Sequence, residues 1–373
     1  MDKKKPLCDV EIIFEDLFNF LSRELPFKKI LVLTSKSFTN RGIINSIKNK
    51  LKYHQVSVLD EVKREPSLED LEKFQNQFFP KNSELIISIG GGSVIDTAKI
   101  LSIILDRKNK IEILSDFNKL RFQSNIPLYV FPSTAGSGAE LTPFATVWDY
   151  RLNQKISFQN NLLLPRLAIY DHKLLKSLEY SVSVSSGLDT LSHSFESIWN
   201  KYADPLSINF ATQSIDLSIK SIRGYVNSEK KDFFLKNMQL ASILASLAIS
   251  RTKTGICHSI SYPLTSIYKI PHGIASSFVL PEVLLFNSKK DDGRLKKLSD
   301  SLFYPSIEIL HETLFRLRKE LFSKLDIYEN LKNIDVELIS GQLITPERSN
   351  LNFRDVNETQ AKQILKEAIS NIF

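Results

Sequence analysis

Asp189 and His193 stand four residues apart in a stretch whose apolar residues recur at three- and four-residue spacing. Both side chains therefore lie on one face of a helix, a turn apart. Of the six histidines, His258 follows Gly255-Ile256-Cys257 and His272 sits in Pro271-His272-Gly273. One carboxylate and three imidazoles suit a divalent transition metal such as Fe(II) or Zn(II). An aspartate and a histidine at that spacing also form an ordinary helix-surface pair. Linear spacing does not by itself bring His258 and His272 to Asp189.

A second kind of chemistry is suggested by glycine. The chain has 12 glycines in 373 residues, about 3% against a usual ~7%. Three of them are consecutive: Ile86-Ile87-Ser88-Ile89-Gly90-Gly91-Gly92-Ser93-Val94-Ile95-Asp96-Thr97-Ala98-Lys99 reads as strand, turn and helix. Such a turn lets backbone N–H groups approach a pyrophosphate, and the helix N-terminus favours negative charge. It matches neither G-x-G-x-x-G nor the G-K-[ST] of a P-loop, and three glycines also make a plain tight turn. A second small-residue loop runs Pro132-Ser133-Thr134-Ala135-Gly136-Ser137-Gly138-Ala139-Glu140-Leu141-Thr142. It directly follows a strand, where open α/β sheets bind ligands.

The elements that must position these groups change character along the chain. Strand-like runs at Lys29–Thr34, Val56–Leu59, Glu84–Ile89, Pro127–Phe131 and Leu167–Asp171 alternate with helical stretches at Arg41–His54, Ser67–Phe79 and Val94–Leu105. Ser67-Leu68-Glu69-Asp70 reads as a capping-box-like start, and Pro80 as a stop. Alternation of this kind implies βαβ units and a mostly parallel sheet. Beyond Asp171 the periodic stretches are helical: Ser186–Trp199, Pro205–Val226, Phe233–Ser250 and Glu308–Leu321. The expected fold class is α/β: an N-terminal Rossmann-like domain with a parallel sheet over residues 1–178, followed by an all-helical domain over 179–373.

Composition narrows the function. Hydrophobic residues make up 42% and charged residues 24%, an ordinary globular balance. Lys+Arg at 49 against Asp+Glu at 42 leaves +7. The bases are scattered rather than gathered on a stripe, so no nucleic-acid partner is expected. Cys8 and Cys257 make no disulfide framework, which fits a cytoplasmic protein. No signal or transit peptide is evident, and Leu240–Ile249 is too short and serine-interrupted for a membrane span.

Taken in order, GGGSVIDTAK, PSTAGSGAELT, SSGLDTLSHSFES and PHG resemble the iron-containing (group III) alcohol dehydrogenases. The resemblance covers most of the chain and thins after about Leu285. It implies a nucleotide-binding domain and a helical metal-binding domain with the active site in the cleft between them, and a homodimer. On the family pattern the metal ligands are Asp189, His193, His258 and His272. Gly90, Gly91, Gly92 and Ser93 would hold the cofactor pyrophosphate, with Asp96 supporting the turn. Thr134 and Thr142 would lie along the cofactor, and Lys155 near the same cleft.

Two departures from the family are informative. Where many members carry an aspartate after the first of these strands, this chain has Ser35, followed by Lys36. A carboxylate there would repel a 2′-phosphate and serine does not, so NADPH, or both NADPH and NADH, is the expected cofactor. Four residues past His258, where many members have another histidine, stands Tyr262. With a reference pKa near ~10 it is a poor base at neutral pH, though it can donate a hydrogen bond. HSISYPLTS and TPFATVWD most resemble the phosphonoacetaldehyde reductases, also called hydroxyethylphosphonate dehydrogenases, enzymes of phosphonate biosynthesis. The resemblance makes phosphonoacetaldehyde the expected substrate and 2-hydroxyethylphosphonate the product. Arg251 and Lys253 are the candidate cations for a phosphonate. The alternatives are a general alcohol, aldehyde or polyol dehydrogenase for small uncharged substrates and, in another class, a non-catalytic nucleotide-binding module.

Overall fold

The computed structural model describes residues 9–78, 82–105, 124–151, 154–227, 229 and 231–372. Cys8, the Lys3–Lys5 run and Pro80 lie outside them. The chain forms two compact units, Met1–Thr134 with Gly138–Ser177, and Ala135–Ser137 with Leu178–Phe373.

The first unit is built on a six-stranded sheet: β1 (Glu11–Phe14), β2 (Lys29–Leu33), β3 (Gln55–Leu59), β4 (Leu85–Gly90), β5 (Leu128–Pro132) and β8 (Leu167–Tyr170), with β6 (Phe144–Asp149) and β7 (Gln154–Gln159) forming a separate pair. The order is β1-β8-β5-β4-β2-β3, and every pairing is parallel. Sequence tracks position here. β4, β5 and β8 are buried at every residue, as near-continuous apolar runs in a parallel sheet should be, whereas the edge strands β1 and β3 are mixed. Helices α1 (Leu17–Phe20), α2 (Lys36–Asn40) and α3 (Ile43–Lys50) cover one face of the sheet. Phe20, Phe38 and Ile47 pack there on Ile30, Val32, Leu85, Ile87 and Ile89. The basic stretch expected to be helical, Arg41–His54, holds α3 alone; α2 precedes it, and Gly42 between them takes a left-handed φ of 73°.

Helix α4 (Leu68–Phe78) starts with the reciprocal cap expected of Ser67 and Asp70. The Ser67 N–H reaches Asp70 Oδ2 and the Asp70 N–H reaches Ser67 Oγ, both at 3.1 Å. Helix α5 (Gly92–Ile104) packs on β4 and β5 and is buried along nearly its whole length. Two strand features of this unit went unpredicted. One is edge strand β1. The other is the antiparallel pair β6 (Phe144–Asp149) and β7 (Gln154–Gln159), where sequence suggested only loop. β7 alternates polar and apolar residues over a half-exposed surface, a weak signal beside the apolar runs of the main sheet.

The second unit is helical among its described residues, with one isolated bridge between Asn200 and Asn352. Its helices are α6 (Tyr180–Ile198), α7 (Pro205–Val226), α8 (Asp232–Thr252), α9 (Ile256–Ser266), α10 (His272–Phe278), α11 (Leu280–Ser288), α12 (Arg294–Ser301), α13 (Ile307–Phe322), α14 (Tyr328–Lys332), α15 (Pro346–Ser349) and α16 (Glu358–Ser370). α7 opens on a capping box, Asp204 with Ser207, and on Pro205 at its first turn. α6, α7 and α8 approach closely through small residues: Ser194 donates to Ser214 Oγ at 2.8 Å, and Ser214 to the Ala241 carbonyl at 2.7 Å. α8 is 21 residues and, with a mean hydropathy of 1.3 over 18 of them, apolar and long enough to span a bilayer. It is longer than the sequence suggested, and it packs against α6 and α7.

Candidate active site

In the first unit the chain passes from β2 outward to β3, then returns to the other side of β2 for β4 and β5. The reversal lies between the carboxyl ends of β2 and β4, the place where open α/β sheets bind nucleotides. Ser35 stands there as the N-cap of α2, with no side-chain capping bond. Thr34 ties the strand ends together: its N–H donates to the Leu59 carbonyl and its hydroxyl to the Ile89 carbonyl, at 2.8 and 2.7 Å. Gly91, the N-cap of α5, has φ −80° and ψ −174°, a conformation open to any residue. Space is the reason for glycine. A Cβ on Gly91 would sit 3.1 Å from Thr134 Cγ2, and one on Gly90 2.6 Å from Val94. The first turn of α5 carries no side-chain cap, so a bare backbone cradle faces the reversal point.

The other expected cofactor residues take definite places. The Ser93 hydroxyl is bonded to the Arg64 carbonyl. The Asp96 carboxylate accepts from Thr146 N and Oγ1, both at 3.0 Å, and so fastens β6 to α5. Thr142 is buried and its hydroxyl donates back to the Gly138 carbonyl at 3.1 Å. Lys155 is half-buried on β7, opposite Trp148. Lys99 was missed. It is fully buried, and its ammonium donates to the Thr142 and Phe144 carbonyls at 2.8 Å each, holding both ends of the segment that enters β6. Burial pushes its pKa down to about 8, opposed by the charges of Asp96 and Glu140. Burial likewise raises Asp96 and Glu140, with Lys99 pulling the other way.

In the second unit α6 delivers Asp189 and His193, α9 delivers His258, and His272 is the first residue of α10. α10 comes close to α6 because Gly273 has no side chain: a Cβ there would lie 2.0 Å from the Ser185 carbonyl oxygen. Asp189, His258 and His272 each offer a ligand atom, all within 4.8 Å of one another. His258 Nε2 lies 3.5 Å and His193 Nε2 3.8 Å from Asp189 Oδ1. The rings of His193 and His258 stack at 4.8 Å, and those of His258 and His272 meet edge-on at 5.3 Å.

Outside this set stand groups that hold it. His193 Nδ1 faces the Gly136 carbonyl at 3.2 Å, Ser276 donates to Asp189 Oδ1 at 3.1 Å, and His258 Nδ1 lies 2.6 Å from Glu196 Oε2. Gly136 is admitted because a Cβ would strike Ser186 at 2.7 Å. Burial would raise Asp189, but His193, His258 and His272 hold it below the usual carboxylate range. Burial would lower His258, yet Glu196 and Asp189 lift it to about 9, while burial dominates at His193 and lowers it.

Residues 11–172 match the family model for iron-containing alcohol dehydrogenase, and residues 183–369 the C-terminal model of the same family. The alcohol dehydrogenase of Thermococcus barophilus is 30% identical over 84% of this chain and 82% of its own. The NADPH-dependent butanol dehydrogenase of Clostridium saccharobutylicum is 29% identical over 91% of each. The chain belongs to the iron-containing alcohol dehydrogenase family. Its fold is that of sulfoacetaldehyde reductase from Bifidobacterium kashiwanohense, solved with NAD+: TM-score 0.88, 21% identity, 97% of this chain and 98% of that one.

As a member of this family the protein is an oxidoreductase, and the family uses iron and NAD(P)H. The residues fit a metal on their own chemistry. His258 Nε2 is buried without a hydrogen-bond partner and points to the same place as the Asp189 carboxylate. An unpaired buried nitrogen beside a carboxylate is costly unless a cation completes it. The glycine cradle likewise fits a dinucleotide phosphate. Two substrate expectations fare differently. Arg251 is engaged elsewhere: its Nε donates to Asp204 Oδ2 at 2.8 Å, joining the end of α8 to the N-cap of α7. That carboxylate pairs its charge. Lys253 is exposed and ends α8 with φ 65°. Tyr262 is half-buried one turn beyond His258 on α9. Glu196, unremarked in the sequence, was findable: it lies three residues past His193 on the ligand-bearing helix.

Proposed function

We propose that the protein reduces an aldehyde to a primary alcohol with NADPH, at a metal held by Asp189, His193, His258 and His272. The observation that carries this reading is the convergence of the Asp189, His258 and His272 donors, the first two buried and the third half-buried, with His258 Nε2 left without a hydrogen bond. A metal bound there supplies Lewis acidity toward a carbonyl or alkoxide oxygen. NADPH held at the glycine turn would supply the hydride, with both electrons, that the carbonyl carbon takes up, leaving NADP+, and solvent would supply the proton of the new hydroxyl. Asp189 contributes the charge that offsets a cation, and the imidazoles bind as neutral ligands. Tyr262, one turn beyond His258, would be a hydrogen-bond donor and not a base, because its hydroxyl titrates near ~10. NADPH rests on Ser35 at the end of β2. The neighbouring Lys36 is 3.5 Å from Asp60, which also accepts from Thr39 at 2.6 Å, so serine rather than a free lysine supports the choice.

For the substrate we propose phosphonoacetaldehyde. The wording of the His258 segment supports it, as does a protein of the same fold named for sulfoacetaldehyde, another two-carbon aldehyde bearing a tetrahedral anion. One observation favours a second reading, a small uncharged alcohol or aldehyde: the Arg251 charge is already paired, and the more similar Clostridium relative is named for butanol. Metal analysis with a panel of phosphonoacetaldehyde, acetaldehyde, lactaldehyde and butyraldehyde, each with NADPH, separates these. Preference for phosphonoacetaldehyde is expected. Comparable turnover of all four removes the phosphonate and leaves the dehydrogenase. A chain with neither metal nor NADPH oxidation is a binding module instead.

A further inference from the structure

Glu196 is fully buried on α6, seven residues past Asp189 and three past His193. Its two oxygens are fully committed. Oε2 accepts the Gly255 N–H at 2.8 Å and faces His258 Nδ1 at 2.6 Å, and Oε1 accepts the His258 N–H at 3.1 Å. One carboxylate therefore grips the start of α9 by its backbone and the His258 ring by its far nitrogen. An ionised carboxylate only accepts, so the proton of that contact belongs to Nδ1. The opposite nitrogen, Nε2, is the one left buried and unpaired toward Asp189.

We propose that Glu196 is a positioning residue of the metal centre, fixing His258 as the Nδ1–H tautomer so that the Nε2 lone pair faces the metal. This deepens, and rests on, the reading of Asp189, His193, His258 and His272 as a metal site. A buried carboxylate behind a ligand imidazole sets its tautomer and orientation and raises its basicity. The same side chain fixes the backbone of His258, so ring and main chain are held from one point. Glu196 is not itself a ligand, because both oxygens face away into these bonds.

The test is metal affinity, measured by competition of Zn(II) against a chromophoric chelator, for the full-length wild type and Glu196→Gln. Loss of the charge is expected to weaken Zn(II) binding about 10- to 100-fold. A purely structural cap would lower the thermal midpoint of the metal-free protein and leave the Zn(II) Kd within twofold, and that result overturns the proposal. If Glu196→Gln does not fold, the wild type decides. Two-bond 15N–1H correlation spectra of the Zn(II)-loaded protein, with the His258 signals assigned by His258→Gln, are expected to show a proton on Nδ1 and none on Nε2. A proton on Nε2 overturns the proposal. A wild type that takes up no Zn(II) fails the metal reading itself, and this inference with it. Tight wild-type binding matched by Glu196→Gln fails Glu196 alone.

Discussion

His258 lies between two carboxylates, Glu196 behind it and Asp189 in front, and the chemistry of the centre is decided at that ring. Asp189 is the one anion among the four proposed ligands, and its removal leaves three neutral imidazoles to hold a dication. Asp189→Asn is expected to lower Zn(II) or Fe(II) affinity at least 100-fold with kcat falling in parallel, read by metal content after dialysis and by NADPH oxidation. A variant that retains full metal content after dialysis contradicts the assignment. At the cofactor end the deciding residue is Ser35. A carboxylate in that place would face a 2′-phosphate, so Ser35→Asp is expected to raise the KM for NADPH about 10-fold or more and move preference toward NADH. An unchanged NADPH/NADH ratio counts against this account of specificity.

At the scale of elements, the glycine turn and α5 depend on volume. A methyl on Gly91 must push Thr134 aside by a few tenths of an ångström, whereas one on Gly90 collides with Val94 at 2.6 Å. Gly91→Ala is therefore expected to raise cofactor KM with little change in thermal midpoint, while Gly90→Ala costs about 1–3 kcal/mol of stability. The reverse pattern in parallel melting and kinetic measurements would show the turn to be structural only. Lys99 is the strut of the same region. Its pKa is lowered in the fold to about 8 from an ordinary 10.5, so between those values the unfolded chain binds more protons than the native one. The charged form thus costs stability in full below pH 8, and the cost is relieved as pH rises from 8 toward 10.5. Lys99→Met removes this titration but leaves two carbonyls unpaired, a loss of about 3 kcal/mol at neutral pH. The gap between wild type and variant is expected to widen from pH 8 to pH 10 in denaturant unfolding; a constant gap would mean that Lys99 is not depressed.

Across the whole molecule, the helical unit gathers Asp189, His193, Glu196 and His258 in one buried cluster. Metal bound to that cluster, and not to the unfolded chain, stabilises by mass action, about 2.7 kcal/mol at a concentration 100 times Kd. Chelation is expected to lower the melting temperature and added Zn(II) or Fe(II) to restore it, with Mg(II) ineffective because imidazole suits the transition ions. Equal restoration by Mg(II) would argue for a nonspecific effect of charge.

Much of this was legible in the sequence, for identifiable reasons. β4 is Leu-Ile-Ile-Ser-Ile-Gly because a central parallel strand is buried on both faces, and α7 spans Pro205–Val226, the stretch its periodicity marked out. Asp189 and His193 on one helix face followed from the 3.6-residue period alone. The sequence by itself determined the alternation of strands and helices, the two glycine loops and the residue types of a metal set. Only the tertiary structure decided the rest. It brought His258 and His272 to Asp189, bound Arg251 to Asp204, turned Asp96 toward β6, and set Lys99 and Glu196 in the interior. Periodicity reports which face of an element is apolar. Which polar side chain meets which depends on contacts between residues 30 to 90 positions apart, and no local pattern encodes those.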